Sequence, residues 1–147
     1  MAKTYTLHVA GLTRELPICK INDHLDIAAF IMFSDVELTI ACAKALLEKC
    51  PDFDVILTAE AKGIPLAYEM SRQSGKQWIP ARKGVKGYMA DPVIVEDQSI
   101  TTAGTQKLYL GRDDADLIRG KRIVLMDDVI STGESMRALE TLVEKVG

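Results

Sequence analysis

The stretch from Arg122 to Ser135 constrains the fold more than any other part of the chain. It opens with the apolar run Ile123 to Met126, which is typical of a strand buried on both faces. Two adjacent carboxylates, Asp127 and Asp128, end that run, and a short turn of hydroxyl residues and glycine follows. From Glu134 onward, apolar residues recur at spacings of three and four, which predicts a helix. The stretch therefore predicts a strand, an acidic pair, a turn and a helix in succession.

The residue types of this stretch indicate a ligand with two chemically different ends. Ligands of open α/β sheets bind beyond the carboxyl ends of the strands, where a helix start offers unpaired N–H groups to an anion. Ser131, Thr132 and Ser135 add hydroxyl donors, and Gly133 lets the backbone approach the anion closely. Ionised carboxylates accept only, so the acidic pair suits sugar hydroxyls or a hydrated Mg²⁺. Together these groups describe a phosphorylated ribose.

Two other interpretations of the stretch explain less. An ordinary strand, turn and helix with a serine N-cap accounts for the turn. It leaves the adjacent carboxylates unexplained, because like charges repel unless something binds them. A Walker phosphate loop is excluded, since no Gly-Lys-Ser/Thr sequence is present.

The sequence Val124 to Ser135 closely resembles the phosphoribosyl-pyrophosphate motif of the type I phosphoribosyltransferases, and of their purine branch in particular. The resemblance implies that Asp127 and Asp128 bind the ribose hydroxyls and act in catalysis, with the base near Val129 and Ile130. It also implies a loop that binds the 5′-phosphate of the substrate. That loop comprises Ser131, Thr132, Gly133, Glu134 and Ser135.

A second strand–turn–helix unit precedes the first. The apolar run Asp54 to Thr58 predicts a buried strand, and the small residues from Ala59 to Gly63 predict a turn before a helix that runs through Ser71. In the resembled family the corresponding loop binds pyrophosphate through backbone N–H groups, which implies that role for Ala61, Lys62 and Gly63. Lys62 is equally well explained as a pyrophosphate ligand or as a solvated surface residue.

A basic segment follows a short third strand at Gln77 to Pro80. Arg82, Lys83 and Lys86 lie within five positions, where a solvated face is the usual explanation. Here they follow a strand whose end meets the two predicted phosphate loops, and arginine grips phosphate through paired hydrogen bonds. The family carries a basic Ala-Arg-Lys at this position, so the resemblance implies catalytic and pyrophosphate-binding roles for Arg82 and Lys83. Lys86 is a third predicted pyrophosphate ligand.

The N-terminal part predicts a hairpin followed by helix. Alternation from Tyr5 to Ile21 with a turn at Ala10-Gly11 indicates two strands, and residues 27–49 form a long amphipathic run. Ser34, Asp35 and Glu37 look like a helix cap within that run. In purine members of the family an N-terminal segment forms a hood over the base. We assign residues 1–25 to a hood that includes the segment near Ile21 to Leu25; a plain edge hairpin is the alternative.

The segment from Gly87 to Gly104 lacks a clear pattern apart from a short apolar run at Val93 to Val95. Such a segment inside a compact domain is usually a lid or a mobile region, and the family has its catalytic loop here. A strand is predicted from Gln106 to Gly111, and a connection from Arg112 to Gly120. Adenine-specific members commonly show Ser-Tyr-Ser-Leu-Glu-Tyr-Gly in the loop. Residues 97–104 lack that glutamate and both aromatic residues, which leaves the base specificity open.

Composition supports a small-molecule enzyme. The chain has 147 residues, a net charge of −3 and a mean hydropathy of +0.07, which disfavours a nucleic-acid binder with a broad basic face. Its three cysteines form no pair motif and suit a reducing cytosol, so we expect a cytoplasmic protein. Its two histidines are too few for a metal site.

These observations predict one α/β domain over residues 1–147, with a central, mostly parallel sheet of four or five strands flanked by helices and a small N-terminal hood. The final helix reaches Gly147, whereas the resembled family has further strands beyond this point. We therefore expect the chain to lack the family's C-terminal strands.

The resemblance implies a purine phosphoribosyltransferase that forms a nucleoside monophosphate and pyrophosphate from a base and phosphoribosyl pyrophosphate. Adenine is the first choice of base, and xanthine or hypoxanthine the second. Mg²⁺ is the implied cofactor, carried mainly by the substrate without direct protein ligands, and a homodimer is the implied assembly. The alternative from another class is a non-catalytic domain that senses phosphoribosyl pyrophosphate. Repressors of that kind carry an added N-terminal DNA-binding domain, for which these 147 residues leave no room.

Overall fold

The computed structural model describes residues 3–89, 91–97 and 106–147. The strands are β1 Thr4–Val9, β2 Leu12–Asn22, β3 Leu25–Ala28, β4 Val55–Ala59, β5 Gln77–Ala81, β6 Val93–Asp97, β7 Gln106–Leu110 and β8 Ile123–Met126. The helices are α1 Val36–Lys49, α2 Ile64–Ser74, α3 Arg112–Ile118 and α4 Glu134–Val146. Among these residues, no helix has both the length and the apolar character that a membrane crossing requires.

A parallel sheet organises the domain, in the strand order β5-β4-β8. Residue Leu57 at the middle of β4 is paired with Ile79 on one side and Leu125 on the other. The β6–β7 hairpin is antiparallel and joins β5 through a bridge between Arg82 and Tyr109. The predicted α/β class with a mostly parallel sheet is confirmed, with three parallel strands in the described ranges and the hairpin beside them.

Helices cover both faces of the parallel sheet, which explains why β4 is apolar throughout rather than alternating. Val55 and Leu57 point to one face, where they pack with buried residues of α3 and α4. Ile56 points to the other face, where it packs with α1 and α2. All three side chains are almost fully buried. Because core residues pack against both faces of β4, the loops at its carboxyl end start from a fixed position.

The N-terminal residues form a separate antiparallel sheet in the order β1-β2-β3. The predicted hairpin is confirmed, with Ala10 and Gly11 at its turn. The guanidinium of Arg14 on β2 donates to both carboxylate oxygens of Asp35, at 2.8 and 3.1 Å. Asp35 also caps α1, because its Oδ1 accepts from the backbone N–H of Leu38. One carboxylate therefore anchors the small sheet to the first helix of the main domain.

The predicted helical run over residues 27–49, with a cap at Asp35 within it, was wrong for the residues before that cap. Leu25–Ala28 forms β3, which pairs with β2, and α1 begins only at Val36. The cap indicated by Asp35 within the run is the true start of the helix. Residues 27–33 are apolar without a clear period, so local pattern alone does not distinguish a strand from a helix there. The neighbouring β2 decides the conformation by supplying backbone partners.

The predicted connection from Arg112 to Gly120 contains a helix that was not predicted, since Arg112–Ile118 forms α3. Asp113 and Asp114 lie in its first turn, where negative charge is favoured by the helix dipole. Ala115 and Ile118, three residues apart, are buried against the core cluster that contains α4. This short amphipathic pattern was sufficient to indicate a helix and was missed because it spans only two turns.

Candidate functional site

Three loops meet at one edge of the parallel sheet, beyond the carboxyl ends of β4, β5 and β8. Between them lies a cavity of about 270 Å³, called here the loop cavity. Its lining consists of residues from all three loops and from the facing surfaces of β7 and α4. They are Ala59, Glu60, Ala61, Lys62, Lys83, Leu108, Asp127, Asp128, Ser135 and Ala138. The position agrees with the general location of ligands in open α/β sheets.

The acidic pair follows β8 and lines the loop cavity with both carboxylates. Burial, reinforced by the neighbouring Asp128 carboxylate, raises the pKa of Asp127 from 3.8 to about 6. The backbone N–H of Asp128 donates to Oδ1 of Asp127 at 2.8 Å, and with the charge of Lys83 it opposes this rise. Burial prevails, so the Asp127 carboxyl loses its proton at a higher pH than an ordinary aspartate does.

The β4–α2 loop supplies the predicted pyrophosphate-binding residues. Ala61 and Lys62 are exposed and line the loop cavity, and their backbone N–H groups donate to no acceptor in the described ranges. Gly63 is buried behind them at the start of α2. A Cβ at Gly63 would collide with Oγ1 of Thr58, and it would lie 3.7 Å from the Cα of Asp127. Glycine therefore lets this loop pack against the end of β8.

The predicted basic residues separate into different positions. Lys83 lines the loop cavity, whereas the lining does not include Arg82 or Lys86. The Arg82 guanidinium donates to Oε2 of Glu60 at 3.2 Å and to the hydroxyl oxygen of Tyr88 at 2.7 Å. Arg82 is therefore held by protein groups at the rim of the cavity, and Lys83 is the cation of this segment that faces the cavity.

The turn between β8 and α4 contains the predicted 5′-phosphate loop. Gly133 is the N-cap residue of α4, and its φ of +85° is one that glycine adopts without strain. Because it has no side chain, it adds no capping hydrogen bond to the helix. The Oγ1 of Thr132 accepts from the N–H of Glu134 at 3.4 Å, a long hydrogen bond. The alternative of a serine N-cap is therefore wrong. Ser135 lines the loop cavity, while Ser131 and Thr132 are exposed beside it.

A second cavity of about 400 Å³, called here the hood cavity, lies on the other side of the acidic pair. Its lining is mostly apolar and combines the turn of the N-terminal sheet with residues before and within α1. It comprises Val9, Ala10, Phe30, Met32, Cys42, Ala45, Leu46, Lys49, Leu66, Asp127, Asp128 and Ile130. Of the two predicted base-proximal residues, Ile130 lines this cavity, whereas Val129 is 49% exposed and is not in the lining.

Several residues that line the two cavities were given no site role from the sequence. Glu60 lies within the predicted pyrophosphate loop from Ala59 to Gly63 but was given no role there, although its charge among small residues was an available signal. Phe30 and Met32 were assigned to a helix, which hid their alternation toward the hood cavity. Val9 and Ala10 contact that cavity, while Ile21 and Leu25, assigned to the hood, are more than half exposed and are not in its lining. Residues 90 and 98–104 of the predicted catalytic loop lie outside the described residues.

Comparison with known proteins agrees with this architecture. The model of the phosphoribosyl transferase domain family matches residues 36–147. The adenine phosphoribosyltransferase of Chlorobium chlorochromatii is 36% identical over 101 residues, which are 69% of this chain and 54% of that protein. That of Thermotoga petrophila is 33% identical over 96 residues, which are 65% of this chain and 54% of that protein. The chain thus spans about half the length of these relatives.

Solved structures show the same fold. Adenine phosphoribosyltransferase from Thermoanaerobacter pseudethanolicus superposes with a TM-score of 0.65 at 26% identity, covering 79% of this chain and 66% of that one. The Saccharomyces cerevisiae enzyme, complexed with adenine and an imino-altritol bisphosphate, gives a TM-score of 0.70 at 19% identity, covering 86% and 73%. At that identity the second likeness supports the fold alone. The family match, the parallel sheet and the acidic pair between its loops lead to one conclusion: this chain belongs to the phosphoribosyl transferase domain family.

Proposed function

We propose that this protein transfers phosphoribose from phosphoribosyl pyrophosphate to a purine base, adenine in the first place. One observation carries the proposal: Asp127 and Asp128 line two cavities at once, one rich in polar loop residues and one mostly apolar. A ribose at the acidic pair would direct its charged groups into the loop cavity and a bound base into the hood cavity. The similarity to proteins named adenine phosphoribosyltransferase supports this arrangement.

The loop cavity offers groups suited to both phosphate-bearing ends of the substrate. Pyrophosphate would accept from the free N–H groups of Ala61 and Lys62 and lie near the ammonium of Lys83. The 5′-phosphate would lie at the start of α4, where the N-cap residue Gly133 has no side chain and the hydroxyls of Ser131, Thr132 and Ser135 are close in the chain. Free N–H groups at a helix start favour a phosphate. The resemblance extends this loop to Gly133 and Glu134.

Mg²⁺ fits this site as a substrate-borne cofactor. Asp127 and Asp128 lie side by side and line the loop cavity. Mg²⁺ keeps several waters and usually binds through one or two carboxylates together with substrate phosphates. The substrate phosphates would carry the ion, and Asp127 and Asp128 would meet it through its waters. When bound, it neutralises charge that develops on the departing pyrophosphate.

In the proposed reaction the bond between the anomeric carbon and the pyrophosphate oxygen breaks, and pyrophosphate leaves with its electron pair. A ring nitrogen of the base forms the new bond to that carbon and gives up its proton to the leaving pyrophosphate or to water. Positive charge develops on the ribose as the old bond breaks. The acidic pair orients the ribose hydroxyls, and its remaining negative charge favours that transition state. Lys83 and the loop N–H groups stabilise the leaving pyrophosphate. Arg82 and Lys86, implied as further pyrophosphate ligands, lie outside the lining and would act from the rim.

The hood cavity suits a flat, largely apolar ring. Phe30 and Met32 present aromatic and thioether groups to it, and both favour contact with π systems. Ile130 closes the side next to the acidic pair. Adenine remains the first choice of base because the relatives reported above are named adenine phosphoribosyltransferase. The implied homodimer stays a prediction.

An assay with a panel of bases tests the proposal. The protein is incubated with phosphoribosyl pyrophosphate and Mg²⁺ plus adenine, hypoxanthine, guanine or xanthine, and nucleoside monophosphate is quantified by chromatography. We expect AMP to form fastest. A double variant, Asp127→Asn with Asp128→Asn, serves as the control for contaminating activity. Tight binding of phosphoribosyl pyrophosphate without product from any base would favour the sensor instead and overturn the proposal.

A further inference from the structure

Glu60 lines the loop cavity although that cavity is proposed to bind pyrophosphate. An ionised carboxylate is an acceptor only, so next to a bound anion it would repel the ligand. The side chain is only 20% exposed, which shows that the fold holds it in place rather than leaving it in solvent. Its contacts explain why an acidic residue is found there.

Both carboxylate oxygens of Glu60 are engaged by the basic segment. Oε1 accepts from the backbone N–H of Lys83 at 2.6 Å, and Oε2 accepts from Nε of Arg82 at 3.2 Å. The N–H of Lys83 and then the charge of Arg82 hold the pKa of Glu60 below its usual value. The carboxylate therefore stays ionised at neutral pH, with its charge already satisfied by these two donors.

This arrangement extends the pairing of β4 and β5 by one step. The strand ladder ends at Ala59 and Ala81, after which the N–H of Glu60 donates to the carbonyl of Ala81 at 3.0 Å. Beyond that bond the backbone turns away from β5, and the side chain of Glu60 replaces the next rung by accepting from Lys83. The N–H groups of Ala61 and Lys62, which follow Glu60, donate to no acceptor in the described ranges.

The basic segment is fixed on its other side as well. The backbone of Arg82 exchanges two hydrogen bonds with Tyr109 on β7, at 2.9 and 2.8 Å. Its guanidinium is shared between Glu60 and Tyr88. Lys83 follows directly and faces the cavity. The position of the Lys83 ammonium is therefore set by a backbone that Glu60 holds from one side and β7 from the other.

We propose that Glu60 is a positioning residue for pyrophosphate: its carboxylate ties the β4–α2 loop to the Arg82–Lys83 segment, so that the loop N–H groups and the Lys83 ammonium face the same ligand. This inference rests on the proposed function for the identity of the ligand. It assigns Glu60 no contact with substrate and no proton transfer, because both of its oxygens are already used.

The test compares two ligands that occupy different parts of the site. Pyrophosphate with Mg²⁺ probes the loop and Lys83, while AMP occupies the 5′-phosphate loop and the hood cavity without them. In the variant Glu60→Gln, the amide accepts from Lys83 but presents its own N–H groups to the guanidinium of Arg82. We expect calorimetry to show pyrophosphate affinity reduced about tenfold to a hundredfold, as for loss of a charge-assisted hydrogen bond, with AMP affinity unchanged.

Glu69→Gln is the matched control. Glu69 is a buried carboxylate on α2 that accepts from Arg72 and Gln73 and lies outside both cavities. The Glu69→Gln variant loses an ion pair with arginine, as Glu60→Gln does. We therefore expect the melting temperatures of the two variants to fall by comparable amounts, while Glu69→Gln keeps normal affinity for both ligands. If Glu60→Gln does not fold, Glu60→Asp replaces it. The shorter carboxylate reaches only one of its two donors, and the same selective loss is expected.

The outcomes separate this inference from the proposed function. Equal loss of pyrophosphate and AMP affinity, or no loss of either, overturns the positioning role. Selective loss of pyrophosphate affinity supports it, even if the wild-type protein forms no product in the base assay, which would overturn only the enzymatic activity. A wild-type protein that binds no pyrophosphate overturns both.

Discussion

The backbone N–H of Asp128 donates to Oδ1 of Asp127 at 2.8 Å, so the two acidic residues are fixed relative to each other before any ligand arrives. Their carboxylates border both cavities, and the fold keeps Asp127 half-buried despite the electrostatic cost. A group held against its own electrostatic preference is a candidate for function rather than stability.

Replacing Asp127 by Asn is expected to make stability less sensitive to pH. Because the folded-state pKa is raised from 3.8 to about 6, the unfolded chain binds fewer protons than the folded one within this window. Wild-type stability therefore falls as pH rises through it. We expect the variant to be more stable by roughly 1 kcal/mol at about pH 7.5, a value reduced for solvent screening, with the difference vanishing near pH 4. Urea unfolding at several pH values measures this, and a difference independent of pH would contradict it.

The double change of Asp127 and Asp128 to Asn is expected to keep the fold and remove activity. Relief of like-charge repulsion preserves stability, while loss of the ribose and Mg²⁺ contacts lowers turnover on the order of a hundredfold or more, as for a misplaced substrate. The adjacent pair Asp113 and Asp114 on α3 provides a matched control, since it lies outside both cavities. Near-normal turnover in the first double variant would show that the acidic pair is not used as proposed.

Replacing Gly133 by Ala should weaken 5′-phosphate binding through backbone strain. A Cβ at Gly133 would meet no atom within 4 Å, but its φ of +85° is unfavourable for other residues. Gly75 matches it, with a φ of +73°, equally open surroundings and a position at the end of α2. We expect each alanine variant to lose about 1 kcal/mol of stability. Only Gly133→Ala should lower AMP affinity in calorimetry, and an equal effect of Gly75→Ala would refute the loop assignment.

Replacing Gly63 by Ala should disrupt the packing between the β4–α2 loop and β8. The new Cβ would collide with Oγ1 of the fully buried Thr58. We expect a loss of about 1–3 kcal/mol, as for other overpacked sites. That loss should shrink by about 1 kcal/mol when Thr58 is also changed to Ala, which urea unfolding of the four-member cycle would reveal. Gly84→Ala, with open surroundings, is the harmless control. Additive effects in the cycle would rule out the clash.

Local patterns predicted the elements that carry the site. The apolar run of β8, the turn and the period of α4 all lie within one continuous stretch, and each is confirmed within one residue. The same holds for β4 and β5. These elements are buried by helices on both faces or present one clear apolar stripe, so their periodicity reflects their environment directly.

Partners distant in the chain decided the remaining elements. β3 is a strand because β2 supplies hydrogen-bond partners, and nothing in Leu25–Ala28 itself requires that conformation. Arg82 was predicted to bind pyrophosphate, yet its guanidinium is bound by Glu60, 22 positions earlier, and by Tyr88. Sequence spacing carries no information about such a pairing, because it exists only once β4 and β5 are side by side.

The sequence by itself determined the α/β class, the acidic pair, the turn that follows it and the family, since these depend on residue types and spacings within short stretches. The tertiary structure alone decided which of the predicted residues share a cavity. It brought Lys62, Lys83 and Ser135 around Asp127 and Asp128, left Arg82 and Val129 outside the lining, and opened a second, apolar cavity beneath the N-terminal sheet. The physical reason is that periodicity reports how a segment is buried, whereas the direction of a side chain at a loop depends on hydrogen bonds and packing from elements far away in the chain.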